Sequence, residues 1–153
     1  MQNNDYTTLL VEDEENDATL VKMAFKKNNV PKPVQWVKDG MEAVAYLNGE
    51  GAYADRALYP FPQILLLDLK MPRMTGLELL QWLRSNSHFR IVPTIILTSS
   101  RQEPDIERAY DLGVNTYMIK PSSFDELVNM IKVIHEYWTL GVKPKPRWSR
   151  VLK

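Results

Sequence analysis

The sequence predicts an α/β fold, a doubly wound five-stranded parallel sheet with helices on both faces. Two observations predict it. Short apolar runs alternate with segments of helical period five times along 153 residues. The third and fourth runs, QILLLD (63–68) and PTIILTSS (93–100), are apolar at nearly every position instead of alternating, as strands covered on both faces require.

Each element has its own signal. TTLLVED (7–13) reads as strand 1, and NDATLVKMAFKKNN (16–29) as helix 1, with Leu20, Val21, Ala24 and Phe25 on one face. PVQWVKDG (33–40) is a second strand closing in a turn, and MEAVAYLNG (41–49) a short helix. The irregular stretch EGAYADRALYPFP is long for a connection in a compact domain, so it reads as a partner-facing loop or an insertion. QILLLD is strand 3, and GLELLQWLRSN (76–86) is helix 3, its start marked by Pro72 and Gly76 in the loop before it. PTIILTSS is strand 4, EPDIERAYDLG (103–113) is helix 4 stopped by Gly113, and NTYMIKP (115–121) is strand 5. A last helix from Ser123 to about Leu140 carries Phe124, Leu127, Val128, Ile131, Ile134 and Trp138 at three- and four-residue spacing. The segment 141–153, with two prolines and five basic residues, cannot continue that helix and is expected to be flexible.

Composition narrows the function. Nineteen Lys and Arg cancel nineteen Asp and Glu, so no overall field favours nucleic acid or an anionic membrane. Without cysteine there are no disulfides, thiolate nucleophiles or Cys-bound metals, which fits a reducing compartment; the cytoplasm is the simplest expectation. No segment approaches the length of a membrane span, and the N-terminus lacks the basic and apolar regions of a signal peptide.

In open parallel sheets the site lies outside the carboxyl ends of the strands. Strand 1 ends in Glu12 and Asp13, strand 3 in Asp68, strand 4 in Thr98 and strand 5 in Lys120; Lys38 and Asp39 end strand 2 and carry no further mark. Carboxylates gathered at one edge repel one another unless a cation is present. With oxygen donors and no His or Cys in the cluster, Mg²⁺ fits better than zinc. An ammonium and a hydroxyl beside such a metal suit a phosphoryl group, and Asp68 can then serve as nucleophile, forming an aspartyl-phosphate.

The acidic pair ED (12, 13), DLKMPRMTG (68–76), TSS (98–100) and KP (120, 121) resemble, in order and spacing, the receiver domains of two-component response regulators, over about residues 5–140. The resemblance implies a flavodoxin-like receiver fold with strand order 2-1-3-4-5. It implies that Asp68 accepts phosphate from a sensor histidine kinase, and that Asp13, Asp68 and the backbone carbonyl of Lys70 bind Mg²⁺, with Glu12 acting through a water. It implies that Lys120 pairs with phosphoryl oxygens, that Thr98 hydrogen-bonds one of them, that Tyr117 swings inward as Thr98 moves, and that the Lys120–Pro121 bond is cis. Glu12 departs from the two aspartates many receivers carry there. Lys70 and Ser100 occupy positions that influence phosphate lifetime in the family. The 49–62 loop, the long last helix ending in HEYWTL and the tail are similar to small response regulators paired with bacterial and cyanobacterial phytochromes, a subgroup that often dimerises through helix 4, strand 5 and helix 5. With no output domain following, the expectation is a stand-alone receiver acting through its surface.

Two other readings compete. A phosphatase or phosphotransferase of the aspartyl-phosphate kind needs a second carboxylate just after the nucleophile, where this chain has Leu69 and Lys70. A flavin-binding electron carrier needs a hydroxyl- and Gly-rich loop after strand 1, where this chain has EDEEN. The structural alternatives are ordinary: Asp13, Asp68 and Thr98 as caps, Lys120 as a solvated lysine, Tyr117 as a sheet aromatic. His88 and His135 lie in no metal-ligand spacing and read as surface or packing residues.

Overall fold

A computed structural model describes residues 5–144. The elements run β1 (Thr8–Val11), α1 (Glu15–Lys27), β2 (Gln35–Val37), α2 (Gly40–Asn48), a 3₁₀ turn (Gly51–Ala54), β3 (Ile64–Leu67), α3 (Gly76–Ser85), β4 (Thr94–Thr98), α4 (Glu103–Asp111), β5 (Thr116–Ile119) and α5 (Phe124–Leu140). All five strands pair in parallel, in the order β2-β1-β3-β4-β5. The expected α/β class, the doubly wound parallel sheet and the 2-1-3-4-5 order are what the chain adopts.

Alternation along the central strand explains the two layers. Leu65 and Leu67 of β3 point into a core shared with α2 and α3, while Ile64 and Leu66 point into a second core shared with α1 and α5. All four are buried, which accounts for the unbroken apolar run. The buried face of α1 is Ala18, Val21, Ala24 and Phe25. Leu20, expected on that face, is 39% exposed, because it sits about 100° around the helix from Val21. Strands β1 and β2 are shorter than expected, since Glu12 and Lys38 already belong to the loops that leave the sheet.

The helix ends follow local chemistry. Asp39 caps α2 by accepting from the Glu42 backbone N–H at 2.9 Å, Thr75 and Glu78 form a capping box on α3, and Ser123 caps α5 through the Glu126 N–H at 3.1 Å. After α2 the chain turns at Gly49, whose φ is 68°. The stretch from 49 to 62 is tied to the body rather than free. The Arg56 guanidinium donates to the carbonyls of Tyr46 (2.8 Å), Leu47 (2.9 Å) and Tyr59 (3.2 Å) and lies 4.1 Å over the Phe61 ring. Tyr46, Tyr53 and Tyr59 close ring to ring around it. No helix among the described residues is long and apolar enough to cross a membrane. The expected flexible tail lies outside the described residues beyond Pro144.

Candidate phosphoacceptor and metal site

The sheet ladder sets the site. Just past the last strand residues the backbone still pairs: Glu12 N–H donates to Val37, Asp68 N–H to Val11 (3.0 Å) and Lys120 N–H to Thr98 (2.8 Å). Glu12, Asp68, Thr98 and Lys120 are thereby held side by side along one edge. Thr98 is fully buried, and Glu12 and Asp68 are 2% and 8% exposed.

Oxygens of Glu12, Asp13 and Asp68 all lie within 4.8 Å of one another. That is the predicted carboxylate triad, and its donors are all oxygen, the set a hard divalent cation takes. Asp13 and Lys70 line the same open cleft, with Pro72, Thr75 and Asp105 around it. Lys70 itself is exposed.

Lys120 sits among the acids. Its Nζ is 2.6 Å from Glu12 Oε1, 2.8 Å from Asp17 Oδ2 and 3.1 Å from Asp68 Oδ2. Burial opposes its charge, but the hydrogen bonds to Asp17 and Glu12 and the charge of Asp68 outweigh it and hold the ammonium above its ordinary pKa. For Glu12, burial dominates and pushes the carboxyl up to about 7; the Lys120 hydrogen bond opposes this, and Asp68 adds to it. The second Glu12 oxygen accepts from the Glu14 N–H at 3.1 Å, and the Glu12 carbonyl accepts from Trp36 Nε1 at 2.7 Å. Asp68 Oδ1 accepts from the Leu69 N–H at 2.7 Å, which leaves Oδ2 facing Lys120.

The Lys120–Pro121 bond is trans, correcting the expected cis form; there is no cis peptide among the described residues. Trans is the lower-energy X-Pro isomer by about 0.5–1 kcal/mol, and the trans chain already delivers Nζ to Asp68. Tyr117 is half-buried, with its hydroxyl donating to the Ser100 carbonyl at 2.9 Å, so its ring lies across the β4–α4 connection. Ser100 in turn donates to Asp105 Oδ2 at 2.6 Å, tying that connection to the first turn of α4.

Three functional contacts escaped the sequence reading. Asp17 joins Lys120 from α1, and its signal was its place in the acidic first turn after strand 1. Trp36 reaches Glu12 from the neighbouring strand, a pairing visible only with the register. Asp39, left unmarked at the end of strand 2, holds Arg73 of the β3–α3 loop.

Comparison with known proteins agrees with the geometry. The family profile described as Response regulator receiver domain matches residues 8–132. The probable methanogenesis regulatory protein FilR2 of Methanothrix harundinacea is 37% identical over 142 residues, 92% of this chain and 88% of that protein. Response regulator Rcp1 of Synechocystis sp. is 33% identical over 130 residues, 85% of this chain and 86% of that protein. The crystal structure of the Mn(2+)-bound form of response regulator Rcp1 matches with a TM-score of 0.81 at 31% identity, covering 92% of this chain and 99% of that one. The crystal structure of the phosphorylated cyanobacterial phytochrome response regulator RcpA matches with a TM-score of 0.84 at 37% identity, covering 92% and 99%.

Proposed function

Because this chain belongs to the response regulator receiver family, we propose that Asp68 is its phosphoacceptor and that a sensor histidine kinase is the donor. The observation that carries the reading is Asp68 Oδ2, 3.1 Å from Lys120 Nζ and within a triad of carboxylate oxygens. In the reaction the Asp68 oxygen attacks phosphorus, the bond from phosphorus to the donor imidazole nitrogen breaks, and the imidazole leaves. Lys120 offsets charge on the transferring oxygens, and the Thr98 hydroxyl donates to one of them. Glu12, Asp13, Asp68 and the Lys70 carbonyl would hold Mg²⁺, with Glu12 reaching it through water; the ion supplies positive charge against the incoming phosphoryl group. Tyr117, already tied to the Ser100 carbonyl, follows Thr98 as the switch residue.

The likeness to Rcp1 and RcpA supports a phytochrome as the kinase. Exposed Tyr110 on α4 and Val133, Tyr137 and Leu140 on α5 support a homodimer through the α4/β5/α5 face, which light scattering of the phosphorylated protein tests.

Intact-mass measurement with Mg²⁺ and acetyl phosphate tests the central reading. One phosphate should add to the wild type, require Mg²⁺, and be absent in Asp68→Asn. An adduct that persists in Asp68→Asn would sink it, and sustained hydrolysis of small phosphate esters would favour the enzyme reading instead.

A further inference from the structure

We propose that Asp17 is a positioning residue that competes for the Lys120 ammonium and so sets how readily Asp68 holds a phosphoryl group. The inference rests on Asp68 being the phosphoacceptor. An ammonium has three hydrogens to donate, and here each has an acceptor: Glu12, Asp17 and Asp68. The Asp68 contact is the longest, at 3.1 Å against 2.6 and 2.8 Å. Lys120 is therefore saturated before any phosphoryl group arrives.

Phosphorylation adds three oxygens and about two negative charges at Asp68; the hydrogen that Lys120 gave Asp68 passes to one of those oxygens, and to meet a second Lys120 must surrender Glu12 or Asp17. Burial decides which. The Glu12 side chain is 2% exposed and would lose its one direct cationic partner while buried, with Mg²⁺ reached only through a water, whereas the Asp17 side chain is 40% exposed and returns to water at small cost. Asp17 is the contact that yields. It also sits in the first turn of α1, whose amide dipoles favour a carboxylate there with or without Lys120. Asp17 thus parks the ammonium in the resting state and releases it in the phosphorylated one.

The test measures beryllofluoride affinity at saturating Mg²⁺ by calorimetry on the full chain, in wild type, Asp17→Asn, Asp17→Glu and Glu15→Gln. Glu15→Gln makes the same charge change in the same helical turn at an exposed residue. Asp17→Asn should bind beryllofluoride about three- to tenfold more tightly than both wild type and Glu15→Gln, the range that one released hydrogen bond gives. Asp17→Glu should return affinity toward wild type. Mg²⁺ affinity without beryllofluoride should change no more in Asp17→Asn than in Glu15→Gln. If wild type binds but Asp17→Asn matches Glu15→Gln or binds more weakly, the competition does not exist and this inference alone falls. If wild type takes up neither beryllofluoride nor phosphate, the phosphoacceptor reading falls as well.

Discussion

Arg73 grips Asp39 through two nitrogens, Nε at 2.9 Å and Nη2 at 2.6 Å, both on Oδ2. The contact joins the loop that follows β3 to the corner where β2 becomes α2. Arg73 holds a φ of 66°, uncommon for a residue with a side chain, so the ion pair fixes a turn that costs energy to make. The other Asp39 oxygen caps α2, and one buried carboxylate therefore serves two elements.

Asp39→Ala should consequently lose more stability than Arg73→Ala. Removing the acid deletes a helix cap, about 1 kcal/mol, together with the arginine's partner. Removing the arginine deletes a pair whose cationic side is 62% exposed, about 0.5–1 kcal/mol. Urea denaturation of the two variants checks the order.

Gly76 opens α3 with its would-be side-chain position against the Asp68 carbonyl and the Leu69 Cα. Backbone atoms cannot rotate away as a side chain can. Gly76→Ala should destabilise by about 1–3 kcal/mol and push Asp68 out of register with Lys120. Thermal melting and intact-mass phosphorylation, read on the same sample, should both fall.

Trp36 should report on the metal site. Its indole donates to the Glu12 carbonyl at 2.7 Å and is covered by the Lys22 ammonium at 4.6 Å from the ring centre. A Mg²⁺ titration should change tryptophan emission in wild type. In Trp36→Phe most of that change should vanish while calorimetric Mg²⁺ binding persists. A full response in the variant would assign the signal to another tryptophan.

His135 makes stability fall in acid. Its Nδ1 lies within hydrogen-bond reach, 2.7 Å, of the buried Tyr6 hydroxyl, and burial pushes that phenol up to about 12. Burial lowers the His135 pKa; Glu136 opposes this and Lys143 adds to it. The folded protein therefore binds fewer protons at His135 than the unfolded chain, so stability rises with pH. The loss begins as pH drops through the unfolded value near 6.5 and ends below the lower folded value. His135→Gln should flatten that part of the urea-midpoint profile, and an unchanged slope would assign it to other groups.

The architecture was legible because β3 and β4 carry unbroken apolar runs and strands 1, 3, 4 and 5 run out into marked polar residues. Glu12, Asp13, Asp68, Thr98 and Lys120 could be named from those ends alone. What could not be read depends on distance between elements. Asp17 is an ordinary first-turn acid until β5 brings Lys120 beside it, and Asp39 an ordinary cap until Arg73 folds back. The 49–62 stretch read only as a partner-facing loop or an insertion because its order comes from Arg56 reaching the carbonyls at the end of α2, a contact with no periodic trace. The Lys120–Pro121 isomer is a matter of local backbone balance, which a motif does not specify.

The alternation of β3 reaches beyond packing. Ile64 and Leu66 belong to the layer of α1 and α5, Leu65 and Leu67 to the layer of α2 and α3, and Asp68 terminates them all. One strand thus anchors the Asp68 end of the sheet in both bodies of side chains, front and back, like a nail driven through two boards.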